Sequence, residues 1–144
     1  MNTFFKYFGQ LHGWVYRHHG RLGRRFAWIP CLVLTSTGRK SGVRRESVLV
    51  YADDGDRRVV VASNGGSDHP PGWLFNLRAD ASVEVHVGDE KYAATARVVE
   101  ADDPDHARLW KLVNSINGDR YDAYQRKTSR PIPVVALDRR TAEG

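Results

Sequence analysis

Residues Cys31–Tyr51 read CLVLTSTGRKSGVRRESVLVY, and the fold turns on how that stretch is understood. Two apolar runs, Cys31-Leu32-Val33-Leu34 and Val48-Leu49-Val50-Tyr51, flank a polar middle. Runs of this length around a glycine-bearing segment predict two strands joined by a loop. Gly38 and Gly42 predict positive φ and backbone amides that approach a ligand closely. Arg39, Lys40, Arg44 and Arg45 set four positive charges side by side, and Thr35, Ser36, Thr37 and Ser41 add hydroxyls. Such a donor set suits phosphate or carboxylate groups. A Walker A loop ending at Lys40-Ser41 would need glycine where Arg39 and Leu34 stand, and no G-x-G-x-x-G follows a strand. A solvated basic hairpin is the plain alternative. The clustering of guanidinium, ammonium and hydroxyl groups around two glycines favours binding.

Downstream, Asp53-Asp54-Gly55-Asp56 is a turn signal, which predicts a hairpin of Ser47–Ala52 with Arg57–Ser63. The run Val59-Val60-Val61-Ala62 predicts a strand buried on both faces. Ser63–Asp68 is a small-residue loop, and His69-Pro70-Pro71-Gly72 forbids a helix before Trp73. Residues 73–79 read as a short, mostly buried helix, within which Asn76 needs a polar partner. Strict alternation in Val83–Val87 and the turn Gly88-Asp89-Glu90 predict an antiparallel hairpin with 91–100, His86 facing solvent. Asp102-Asp103-Pro104 predicts a helix start. Leu109, Leu112, Val113 and Ile116 form its apolar stripe, and Gly118 stops it. Tyr121 and Tyr124 share a face of a further short helix. Pro131–Leu137 reads as a last strand, tolerable at an edge, with a frayed tail beyond Asp138.

Upstream, residues 3–17 have helical apolar spacing broken by Gly9 and Gly13. This predicts a helix that packs on the core or acts as a lid. A membrane-surface contact through residues 3–25 is the alternative, because basic residues flank the apolar face. The chain of 144 residues predicts one domain, with 1–29 as N-terminal helix and connector and 30–138 as the core. A formal charge of +5 and a pI near 9.6 suit an anionic ligand, nucleic acid or an acidic surface. An arginine-rich composition also follows from a GC-rich genome. Cys31 rules out an internal disulfide and reads as a small core residue. Six scattered histidines show no metal-ligand spacing. With no signal peptide or spanning segment visible, a cytoplasmic location is expected, or a membrane-associated one if the amphipathic segment touches lipid. About six hairpin-linked strands with two or three helices predict an α+β, mainly β fold: a small antiparallel barrel with helices packed outside.

The segments LTSTGRKSGVRRESVLVY, VVVASNGG, HPPGWLFNLRADASVEVHVG and RYDAYQRKTSRPIPVVAL, in order across residues 30–138, resemble the deazaflavin-dependent nitroreductase family. T-G-R-K-S-G and W-x-x-N-L-R-A-D carry the likeness. The resemblance implies a split, FMN-binding-protein-like β-barrel, an actinobacterial source, and reduced coenzyme F-420 as hydride donor, with FMN as the alternative cofactor. The deazaflavin bears a phosphate and an oligoglutamate tail, which agrees with the cationic loop. Carried over by position, Arg39, Lys40, Ser41 and Arg45 would hold phosphate and tail. Ser47, Val48, Leu49 and Val50 would line the ring edge, and Val61, Ala62, Ser63 and Asn64 would contact the ring. Gly72, Trp73, Leu74, Phe75 and Asn76 would close over it. Tyr121 and Tyr124, with Ser63, would border the acceptor and hydrogen-bond its oxygen. The implied activity is hydride transfer to a planar acceptor: a quinone, an enone or lactone, or a nitroaromatic. Three departures stand out: Asn64 where a lysine is frequent, Val43-Arg44 in place of a common Gln-Pro, and Gly118 where one branch has a third tyrosine. A deazaflavin carrier without turnover and a nucleic-acid-binding barrel are the competing classes.

Overall fold

The computed structural model describes residues 29–141. The segment expected to form the N-terminal helix, its membrane-contact alternative and most of the connector lie outside them. Seven strands form one antiparallel sheet: β1 (Cys31–Thr37), β2 (Arg44–Val50), β3 (Ala52–Asp54), β4 (Arg57–Val61), β5 (Ser82–Val87), β6 (Glu90–Val99) and β7 (Val134–Arg139). Their spatial order is β2-β1-β5-β6-β7-β4-β3. The two outermost strands, β2 and β3, are separated in sequence by Tyr51 alone, so the sheet must curl until its edges meet. The Tyr51 amide donates to the Pro30 carbonyl at 3.1 Å, which fixes that corner. The result is the split barrel expected from the sequence.

The expected hairpin of Ser47–Ala52 with residues 57–63 is shorter than predicted. Only Ala52–Asp54 pairs with β4, while Ser47–Val50 pairs with β1. One apolar run serves two sheet edges, so seven strands appear where the pattern suggests about six. The last strand is also central rather than an edge, lying between β4 and β6. Its prolines stop short of the ladder: Pro131 and Pro133 precede Val134, so no ladder amide is lost. Just beyond Asp138, Arg139 still belongs to β7, and its guanidinium pairs with Glu90 and lies 3.9 Å from the Tyr92 ring centre.

β4 is buried on both faces, as its continuous apolar run predicts. Val60, and Ala62 just past the strand's end, join Leu32, Leu34, Val85 and Leu137 in one core cluster. Val59 and Val61 join Leu109, Val113, Tyr121 and Ile132 in a second. Helix α1 (Gly72–Ala79) inserts Trp73, Leu74 and Leu77 into the first cluster. Helices α2 (His106–Ile116) and α3 (Arg120–Arg126) cover the second. Each fully buried leucine contributes about 2 kcal/mol of transfer free energy.

Several local readings shift. α1 is not mostly buried: Phe75 is exposed, beneath the Arg39 guanidinium at 4.9 Å. α2 starts at His106 rather than at Pro104, because Asp103 accepts the Asp105 amide at 2.9 Å and turns the chain first. Its buried stripe is Leu109, Val113 and Asn114, continued by Asn117, while Ile116 faces solvent.

Candidate functional site

The loop between β1 and β2 is built by its glycines in two different ways. Gly42 has a φ of +73°. Gly38 does not need positive φ; a Cβ there would lie 2.9 Å from Ser41 Oγ and 3.0 Å from the Val43 carbonyl. The Gly38 amide donates to that carbonyl at 2.8 Å, closing the turn. Asn76 then finds the partner its burial demands. Its Oδ1 accepts the Arg39 amide at 3.0 Å, and its Nδ2 donates to Ser36 Oγ at 3.4 Å. Helix α1 thereby clamps the loop.

None of the four loop cations has a carboxylate within ion-pair distance among the described residues. Arg44 donates to Thr37 Oγ1 at 2.8 Å, and Arg39 rests on Phe75. Lys40 and Arg45 border a depression of about 450 Å³, together with Arg39, Ser41, Gly72 and Asn76. The first turn of α1 faces the same depression, adding the positive end of a helix dipole.

A second cavity of about 670 Å³ adjoins the first, sharing Ser47 and Trp73 as walls. Ser47, Val48, Leu49 and Val50 all line it. Alternation along a strand would offer only two of these. All four are available because β2 is an edge and the cavity runs along its open side. Val61, Ser63 and Asn64 form another wall, and Tyr121 and Tyr124, packed beside Val61, extend it. The tyrosine rings meet edge to face with centres 5.9 Å apart. Burial, then the neighbouring Tyr124, pushes the Tyr121 phenol well above its ordinary pKa, which favours its protonated form.

The walls are held by a polar frame. Asn114 Nδ2 donates to Asp122 at 2.9 Å, and Trp110 Nε1 donates to the same carboxylate at 2.8 Å, joining α2 to α3. Arg130 donates to the carbonyls of Ser67 and Ser63 at 2.8 Å and of Ala62 at 3.3 Å, pinning the loop that carries Ser63 and Asn64. Gly66 lets that loop touch α3: a Cβ there would sit 2.7 Å from the Tyr124 carbonyl.

Three residues assigned to the cofactor by resemblance are not brought to either cavity. The side chains of Ala62 and Leu74 are buried in the barrel core, and Phe75 supports Arg39 from outside. The cavity also has walls the sequence reading did not name: Glu46, Gly65, Pro71, Asn117 and Arg120. A signal existed for Asn117, which stands four residues before Tyr121 and seven before Tyr124, the spacing of one helical face. Gly118 interrupts that helix and hides the pattern. Among the described residues no group of three or more potential metal ligands occurs, and no helix is long and apolar enough to cross a membrane.

The family described as F420H(2)-dependent quinone reductase matches residues 9–139. The chain is 48% identical over 133 residues to an F420H(2)-dependent quinone reductase of Mycobacterium tuberculosis, covering 91% of this chain and 89% of that protein. Among solved structures, an F420-H2 dependent reductase is 35% identical with a TM-score of 0.68, over 76% of this chain and 94% of that one. HutZ, the heme storage protein of Vibrio cholerae, is 16% identical with a TM-score of 0.61 over 78% and 83%, a likeness of fold alone.

Proposed function

The chain belongs to the F420H(2)-dependent quinone reductase family, and from that premise we propose how its two adjoining cavities divide the work of an F-420-dependent reductase. The cofactor supplies a hydride. The residues present suit such a group: an acidic tail needs unneutralised cations, and a planar ring needs an apolar slot next to them. Arg39, Lys40, Ser41 and Arg45 hold phosphate and tail by charge-assisted hydrogen bonds, each worth about 1.5–3 kcal/mol. Ser47–Val50, Val61 and Trp73 flank the ring. The observation that carries the reading is the direct junction of the cationic depression with the apolar cavity at Ser47 and Trp73.

The acceptor is a small planar quinone enclosed by Tyr121, Tyr124 and Ser63. Apolar walls exclude water around it, which strengthens any hydrogen bond to its oxygen. Tyr121, kept neutral by burial, donates to the carbonyl as negative charge develops there. Solvent at the open mouth replaces the proton. The test is anaerobic reoxidation of reduced F-420 by quinone, enone and nitroaromatic acceptors, followed by the return of the oxidised cofactor's absorbance. Quinones should be reduced fastest. Binding of the cofactor with no acceleration of its reoxidation would make the protein a carrier instead.

A further inference from the structure

We propose that Asn117 and Arg120, at the junction of α2 and α3, form an anion-accepting corner of the acceptor cavity. The corner selects planar acceptors that carry an ionised oxygen beside the reducible carbonyl. The inference rests on the reductase reading and names the acceptor chemistry within it.

Both residues line the cavity at the junction of α2 and α3. Asn117 is only 6% exposed, and its carboxamide stands apart from the frame of Asn114, Asp119 and Asp122, within hydrogen-bonding reach of the Tyr121 phenol. Asn117 and Tyr121 both line the cavity, so amide and hydroxyl are presented to it together. Arg120 is exposed at the start of α3 and, among the described residues, pairs with no carboxylate. Arg120 and Glu46 are the charged walls of this cavity. Glu46 sits on β2 beside Arg45, whereas Arg120 follows Asn117 by three residues and stands with it.

The chemistry matches the reaction. When a quinone accepts a hydride, a C–H bond of the donor breaks, its electron pair forms the new bond, and a carbonyl oxygen becomes an oxyanion. A proton from solvent then completes the hydroquinone. A guanidinium and an amide donor facing that oxygen stabilise the anion, and they equally bind a hydroxyl already ionised.

Binding to the enzyme loaded with oxidised F-420, where no turnover occurs, tests this. The matched probes are 2-hydroxy-1,4-naphthoquinone, an anion at neutral pH, and its neutral 2-methoxy ether. Wild type should bind the anion about tenfold more tightly. Arg120→Gln should bring the ratio near one, Arg120→Lys should keep most of it, and Asn117→Asp should reverse it. Equal affinities in wild type, a preference for the ether as Glu46 would impose, or a preference that survives Arg120→Gln overturns the proposal. A wild type that reoxidises F-420 with a neutral quinone yet shows no preference loses only this corner. One that cannot reoxidise it loses the reductase reading as well.

Discussion

The arginines at the far rim of the barrel and those on the β1–β2 loop have opposite surroundings. On β4, α2 and β7, Arg57, Arg58, Arg108 and Arg139 meet Asp54, Glu90 or Asp138. On the loop, Arg39, Lys40, Arg44 and Arg45 meet no carboxylate within the described residues. The two groups are equally cationic in sequence. Neutralised charges hold strands and a helix together. Unneutralised ones stay available to an anion from outside, at the cost of mutual repulsion whenever no ligand is bound. The lesson is that a net charge of +5 is concentrated by pairing. At the rim acids cancel the cations; among the described residues none does so on the loop.

The comparison breaks most directly at Lys40 and Arg45. Replacing both with alanine should weaken F-420 binding by ~100-fold or more at low salt and flatten its salt dependence, read by fluorescence titration. Thermal stability should hold or rise, since repulsion is relieved. Unchanged affinity would make the loop a mere solvated turn. Arg130 is a third case, a cation that burial pushes to lower pKa and that carbonyls satisfy. Arg130→Met should cost about 2 kcal/mol of stability in urea unfolding, because three carbonyls lose their donor. It should disturb the acceptor cavity more than F-420 tail binding.

Asn76 sharpens the contrast at smaller scale. Asn76→Ala leaves the loop cations in place but removes the clamp on the Arg39 amide, so F-420 affinity should fall about tenfold with no change in its salt slope. The rim gives the smallest effect. Arg108→Ala should leave cofactor affinity unaltered, and its melting point should move little, as expected of an exposed pair. Its trace should appear on acidification. Arg108, and after it Arg57, hold the Asp54 carboxyl below its ordinary pKa. That stabilisation is complete above the ordinary aspartate range and is lost as pH falls through the lowered value. Acid unfolding of Arg108→Ala should therefore begin at higher pH than in wild type.

Much of the strand order along the chain was legible because alternation and turn glycines are local. Val83–Val87 with Gly88, and Val59–Ala62, declare themselves without reference to anything else. The division of Arg44–Asp54 into two edge strands was not legible. Tyr51 marks no break in composition; the break exists because the curled sheet brings both edges to one corner. The centrality of β7 was obscured for the same reason, since prolines at 131 and 133 forbid a ladder only if they lie within it. At the site, the cationic loop could be named from spacing, whereas spacing gave Tyr121 and Tyr124 only a shared face and the resemblance gave them their pocket. Ala62 and Leu74 could not be separated from their neighbours Val61 and Trp73, because side-chain direction depends on which cluster each face meets.

By itself the sequence determined the chemistry on offer: a glycine-shaped loop rich in cations, apolar strands able to flank a ring, and two tyrosines three residues apart. These follow from residue type and short spacing, which act within a few bonds. Only the tertiary structure decided which cations remain unpaired, that the loop is clamped by Asn76, and that Asn117 and Arg120 open into the larger cavity. Those outcomes depend on carboxylates, amides and walls contributed from tens of residues away, and curling of the sheet is what brings them within reach.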